Sequence, residues 1–304
     1  MVAADPTSRL RGSIAPLVTP FHDDGAVDHA TLRALIDHHV EQGSHGISVT
    51  GTTGEPGALT LDERLETIEV AAESLDGRLP FVPGTGMHQL PETIAITRRA
   101  AEVGADAALV IVPYYARPTQ EGLYAWYSAV AEAVDIPIVM YNIPSRTGVE
   151  LAPETVGRLY RDVPNIVGMK EASPDFAHAN FVLRETGPEF LLFSGLEALC
   201  FPLLAIGGAG FISVTANLVP REIARMYDAV AEGKWDEARE LHYRLLDLND
   251  VVLTETNPTA VKWLMSQVGR IGPALRAPLV PLSEAGQVRV RAAASSWGLL
   301  DGVR

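Results

Sequence analysis

Lysine is nearly missing from this 304-residue chain, which has three lysines against 21 arginines. Cysteine is scarcer still. The single Cys200 excludes an internal disulfide and fits a reducing compartment, the cytoplasm, with core filling as its expected role. Clusters of basic residues are also wanting. With 38 acidic residues against 24 basic ones and a formal charge of −14, the chain offers no footprint for a phosphate backbone, so nucleic acid is not an expected partner. Residues 1–12 contain no apolar central stretch, and no secretory signal is expected there. No membrane span is expected either. The uncharged run 198–220 is interrupted by Pro202, Gly207, Gly208 and Gly210 and reads as helix, turn and buried strand.

Several chemical signatures are absent too. The turn after the first apolar run, Thr19-Pro20-Phe21-His22-Asp23, lacks the glycine fingerprint of a dinucleotide site. Gly84-Thr85-Gly86 and Gly207-Gly208-Ala209-Gly210 lack the lysine and helix spacing of a phosphate loop. No His/Asp/Glu set has metal-ligand spacing, and no Gly-x-Ser-x-Gly elbow marks a serine hydrolase.

What is present is alternation. Eight short runs rich in aliphatic and β-branched residues recur at 13–18, 46–49, 80–82, 108–112, 136–141, 166–170, 190–193 and 211–214. Stretches of helical period lie between them, at 31–41, 62–75, 91–103, 122–134 and 153–160. Several runs are apolar on both parities, which suits strands covered on both faces. Eight such units predict an α/β fold, a (β/α)8 TIM barrel, with an open doubly wound sheet as the competing arrangement. After Glu232 the strand signal stops, and 235–252, 259–268 and 283–296 read as helices. The expected division is a catalytic barrel over 1–232 and a C-terminal helical region over 233–304.

Barrel sites sit at the C-terminal ends of strands. Lys170 ends the apolar run Ile166-Val167-Gly168-Met169, where an ammonium must be paired or lose its proton, and a free amine there is a nucleophile for carbonyl carbon. By alternation it shares a face with Ile166 and Gly168, and the missing side chain of Gly168 is expected to leave room beside the amine. A lysine snorkelling at the rim is the equal alternative. Tyr141 ends the preceding run, one βα unit earlier, where its phenol can relay protons for imine chemistry or serve as an amphipathic rim residue. Arg146 can clamp a carboxylate or lie solvated, and Thr50-Gly51-Thr52-Thr53-Gly54-Glu55 can aim amides at an anion or be a polar loop. Tyr114 and Tyr115 can serve the site or an oligomer contact, and adjacent loop aromatics favour the latter.

Together, Gly51-Thr52-Thr53-Gly54-Glu55, Pro113-Tyr114-Tyr115, Tyr141-Asn142-Ile143-Pro144-Ser145-Arg146-Thr147-Gly148, Gly168-Met169-Lys170-Glu171 and Ile212-Ser213-Val214-Thr215-Ala216-Asn217 resemble the dihydrodipicolinate synthase / N-acetylneuraminate lyase family. The resemblance implies a homotetrameric barrel, a dimer of dimers, that forms a pyruvate imine on Lys170 without a metal or nucleotide cofactor. It implies that Thr53 holds the pyruvate carboxylate, that Tyr141 and Thr52 relay protons with Tyr115 of a neighbouring subunit, and that Arg146 binds the carboxylate of an aldehyde acceptor. Gly195 and Ile212 would complete the substrate site. The Ser-Arg-Thr-Gly form of the arginine loop, with Tyr115, resembles the branch that joins pyruvate to aspartate 4-semialdehyde. A sugar-acid or hydroxy-oxo-acid aldolase and a silent oxo-acid-binding barrel are the alternatives. Pro56, Leu196 and Pro174 depart from the usual synthase residues and bear on the acceptor. Leu61 and Arg64 stand where the family's lysine-inhibition site often has histidines, so lysine inhibition is expected to be weak or absent.

Overall fold

The computed structural model describes residues 7–301. Residues 1–6, part of the segment read for a secretory signal, and 302–304, the end of the expected helical region, lie outside the described residues. Seven strands form one parallel sheet among the described residues: β1 (Gly12–Pro16), β2 (Gly46–Ser48), β3 (Ala108–Ile111), β4 (Ile138–Asn142), β5 (Ile166–Glu171), β6 (Leu191–Ser194) and β7 (Gly210–Ile212). Their order is β2-β1-β7-β6-β5-β4-β3, which leaves one gap between β2 and β3.

The expected strand at 80–82 fills that gap, but not as a regular strand. Phe81 bridges Ile47, and Gly84 bridges Leu109. The Val82 N–H donates to Ile47 O at 2.8 Å, while the Leu109 N–H donates to Pro83 O at 2.9 Å, so the circuit of a TIM barrel closes. Pro80 and Pro83 have no N–H to give, which thins the ladder to isolated bridges.

Helices cover the outside: α1 (His29–Glu41), α2 (Leu61–Leu75), α3 (Leu90–Glu102), α4 (Gln120–Glu132), the single turn α5 (Pro144–Thr147), α6 (Pro153–Asp162), α7 (Phe176–Thr186), α8 (Cys200–Ala205) and α9 (Pro220–Ala231). Their starts follow local chemistry. Thr60 and Glu63 form a reciprocal capping box on α2, Asp28, Thr119 and Asp175 cap α1, α4 and α7, and Pro153 and Pro220 open α6 and α9. The uncharged run 198–220 contains α8, a glycine turn and β7, as its breakers dictate. Among the described residues no helix is long and apolar enough to cross a membrane.

Three further helices follow, α10 (Trp235–Val251), α11 (Thr259–Gln267) and α12 (Glu284–Ser296). Their buried faces, including Leu245, Leu264 and Val290, join one cluster with Ile36, Ile68 and Ile223 of the barrel's helices. Each such side chain contributes roughly 1.5–3 kcal/mol on burial, so the appendage and that side of the barrel share their stabilisation. A separate cluster fills the barrel interior with Ile14, Leu109, Val139, Tyr141, Phe193 and Ile212. At one seam the strands approach so closely that a Cβ on Gly210 would lie 2.1 Å from Gly12 O.

Candidate active site

Parallel strands bring every C-terminal end to one mouth, and register then decides which residues meet. Tyr141 on β4 pairs with Lys170 on β5, which pairs in turn with Phe193 on β6. Lys170 is buried, with 6% of its surface exposed. Its Nζ lies 4.4 Å from the centroid of the Tyr141 ring. Among the described residues no ion pair or hydrogen bond engages that nitrogen. The Tyr141 hydroxyl is 3.3 Å from Thr52 Oγ1, and either oxygen can donate. A nitrogen, a phenol and an alcohol thus follow one another inside the mouth.

Two expectations about β5 are corrected. Register slips between Ile138 and Val139, where Ile138 faces Ile166 but Val139 faces Gly168, leaving Val167 as an extra residue. This bulge breaks strict alternation, so Ile166 packs in the outer cluster with Met140 and Leu159 instead of sharing the face of Lys170. Nor does Gly168 make room for the amine. A Cβ there would meet Leu191 O at 2.3 Å, so its small size admits the β6 backbone. The residue that clears space is Gly195, whose Cβ would fall 2.6 Å from Lys170 Cε.

The polar loop after β2 is built from turns. Thr50 adopts φ 53° and its hydroxyl donates to Val49 O and Gly84 O, anchoring the loop start against residues 80–85. Thr52–Gly54 and Pro56–Ala58 form two 3₁₀ turns, joined by Glu55 at φ 54°. Thr53 is buried, and its Oγ1 accepts a hydrogen bond from Asn257 Nδ2 at 3.1 Å. Glu55 is clamped by Lys262, an ion pair at 2.6 Å that the sequence reading did not single out.

A cleft of about 400 Å³ opens beside this loop, lined by Thr52, Pro56, Tyr114, Arg146 and Arg276 among others. Arg146 rides on α5, which Gly148 terminates at φ 72°, and its guanidinium donates to Asn257 O at 3.2 Å. The side chain remains exposed to the cleft. Tyr114 and Tyr115 part company: Tyr114 lines the cleft, whereas Tyr115 is 92% exposed at φ 75°. Ile212 belongs to the interior cluster with Tyr141 and Phe193.

Two buried carboxylates, Glu197 and Glu171, belong to the elements around the mouth. Glu197 accepts from Ser213 Oγ and from the Val214 N–H at 2.6 Å. Burial raises its pKa, against the pull of those hydrogen bonds and of the Lys170 charge. Glu171, next to Lys170, accepts from Asn142 Nδ2 at 3.0 Å and from the Ser173 N–H at 2.7 Å, and meets His178 Nδ1 at 2.7 Å. Burial presses His178 down, but Glu171 and the Leu151 carbonyl outweigh it and leave its pKa raised to about 9. Cys200 is buried and its thiol is pushed up by desolvation, consistent with an inert core residue.

Residues 9–296 match the dihydrodipicolinate synthetase family. A relative from Thermus thermophilus, a 4-hydroxy-tetrahydrodipicolinate synthase, is 48% identical over 96% of this chain and 97% of its own. Another 4-hydroxy-tetrahydrodipicolinate synthase, from Pelobacter propionicus, is 44% identical over 96% of this chain and 100% of its own. Among solved structures, dihydrodipicolinate synthase from Aquifex aeolicus superposes with a TM-score of 0.93 at 42% identity, covering 95% of this chain and 98% of that one.

Proposed function

The chain belongs to the dihydrodipicolinate synthetase family, and from that premise we propose that Lys170 is the amine through which it acts on pyruvate. The activity is the condensation of pyruvate with aspartate 4-semialdehyde to 4-hydroxytetrahydrodipicolinate, a class I, imine-forming lyase reaction. The amine adds to C2 of pyruvate, the carbinolamine loses water, and the imine loses a C3 proton to become an enamine. Its C3 attacks the aldehyde carbon, whose oxygen takes up a proton. The acceptor's amino group then closes on C2 and releases the lysine.

Each step moves a proton, and the Tyr141–Thr52 pair supplies a path for it. Thr53 and the amides of its turn hold the pyruvate carboxylate, while Arg146 receives the acceptor carboxylate with its bidentate fork. Gly195 leaves the imine room, and Ile212 walls the apolar side. Tyr115, exposed on its own subunit, is assigned to complete the relay in a partner subunit, and a homotetramer in the cytoplasm is the proposed working form. The covalent imine provides the electron sink, so neither metal nor nucleotide is required. The observation that carries this reading is a buried lysine nitrogen against a phenol ring that in turn reaches Thr52.

Borohydride reduction with pyruvate, followed by peptide mass mapping, tests it: an adduct on Lys170 is expected, and an unchanged mass would overturn the assignment. Turnover of aspartate 4-semialdehyde in a coupled assay tests the acceptor, and another aldehyde acid accepted in its place would revise it.

A further inference from the structure

The turn that carries Thr52 and Thr53 is not held by its own backbone alone. Its exit residue, Glu55, sits in the left-handed region, which costs a non-glycine residue on the order of 1 kcal/mol and persists only when the surroundings enforce it. The enforcement comes from far along the chain. Lys262 on α11, 0% exposed, donates to Glu55 Oε1 at 2.6 Å and to Thr19 O at 2.9 Å, with the Phe21 ring 4.3 Å from its nitrogen. Thr19 Oγ1 donates to Gly54 O at 2.7 Å, so the ammonium ties the loop after β1 and the loop after β2 into one unit. The Arg276 N–H takes the other carboxylate oxygen at 3.2 Å. Asn257, just before α11, reaches Thr53 itself.

From this arrangement we infer that Lys262 is a positioning residue for pyruvate: acting through Glu55, it sets the 3₁₀ turn so that Thr53 and its amides meet the carboxylate and Thr52 meets Tyr141. The inference rests on the imine reading above. Lys262 touches no substrate. A displaced turn weakens pyruvate capture, whereas the acceptor's contacts at Arg146 on α5 stay as they were.

The single change Lys262→Met strands a buried carboxylate, so the double variant Lys262→Met/Glu55→Gln carries the test, because neutralising both partners of a buried pair is often tolerated. The full chain is compared with this variant by thermal unfolding, by borohydride trapping against pyruvate concentration without acceptor, and by steady-state kinetics. Expected is a folded variant whose half-saturating pyruvate rises at least about tenfold while the acceptor KM stays within about twofold. Lys262→Arg in the Glu55 background, keeping a cation, should recover part of the loss. A folded double variant that saturates with pyruvate like the parent overturns the inference, as does an equal rise in both KM values. A parent chain that traps no pyruvate on Lys170 would instead bring down the imine reading, so the two failures are distinguishable.

Discussion

Two of the three lysines are buried, and they are buried differently. Lys262 and Lys170 each lie against an aromatic ring, at 4.3 and 4.4 Å. Lys262 also has a carboxylate and a carbonyl as acceptors, whereas no such partner engages Lys170 among the described residues. Burial pulls the Lys262 pKa below the ordinary lysine range, with Glu55 working against it. An ammonium with two oxygen acceptors and a ring against it is a fastener. An amine with no acceptor engaged among the described residues, and with Gly195 clearing the space beside Cε, can bond to carbon. Burial alone therefore does not distinguish a reactive lysine from a structural one; the partners do.

The sharpest break in that comparison is Lys170→Arg, which is expected to lower kcat by at least about a thousandfold, with thermal stability retained, because a guanidinium cannot form the imine. Residual turnover near the parental rate would contradict the assignment. Next comes Lys262→Met, expected to destabilise by roughly 3–5 kcal/mol in denaturant unfolding, since Glu55 is left buried and unpaired. A change under about 1 kcal/mol would place the pair among ordinary surface bridges. Tyr141→Phe keeps the ring but removes the relay, and a loss of about a hundredfold in kcat with unchanged stability is expected from single-turnover kinetics.

His178–Glu171 is a buried pair of a third kind, because its cation is a histidine, whose ordinary pKa lies near neutrality. The folded pKa of His178, about 9, lies above the unfolded value of 6.5. Its contribution is therefore complete below about pH 6.5 and is lost as pH rises through about 9. Melting curves should show a loss on the order of 2 kcal/mol across that window, and His178→Gln should flatten it. The smallest expected effect is that of lysine on the rate. Arg64 is buried with its guanidinium donating to Gly84 O at 3.0 Å and Gly86 O at 3.4 Å, so this position offers a spent cation where the family often has a histidine. An inhibition curve with a micromolar midpoint would refute this.

The sequence made the barrel legible because strand and helix alternate in composition, and Pro153, Thr60 and Asp28 mark helix starts on local grounds. It made Lys170 and Tyr141 legible because a strand-end residue is placed by strand length alone. The bulge at Val167 was hidden, since it depends on the register of β4 against β5, and so the roles given to Ile166 and Gly168 failed. The thin seam at 80–85 was half visible in Pro80 and Pro83. Glu197, Glu171 and Lys262 were unreadable as partners, because their significance lies in contacts across many residues. A signal for Lys262 did exist: a lysine inside the apolar face of a helix, in a chain with so few, has no business there without a matching carboxylate.

The clamp on Glu55 is drawn from a residue 207 positions downstream. Chains fold as they leave the ribosome, N-terminal parts first, so the loop proposed to grip the substrate is synthesised long before its fastener emerges. Until α11 emerges, Glu55 has no Lys262 to hold it. On the proposed mechanism, a product truncated before α11 would carry the proposed nucleophile, Lys170, without the Lys262 that fastens the proposed grip for the oxo acid.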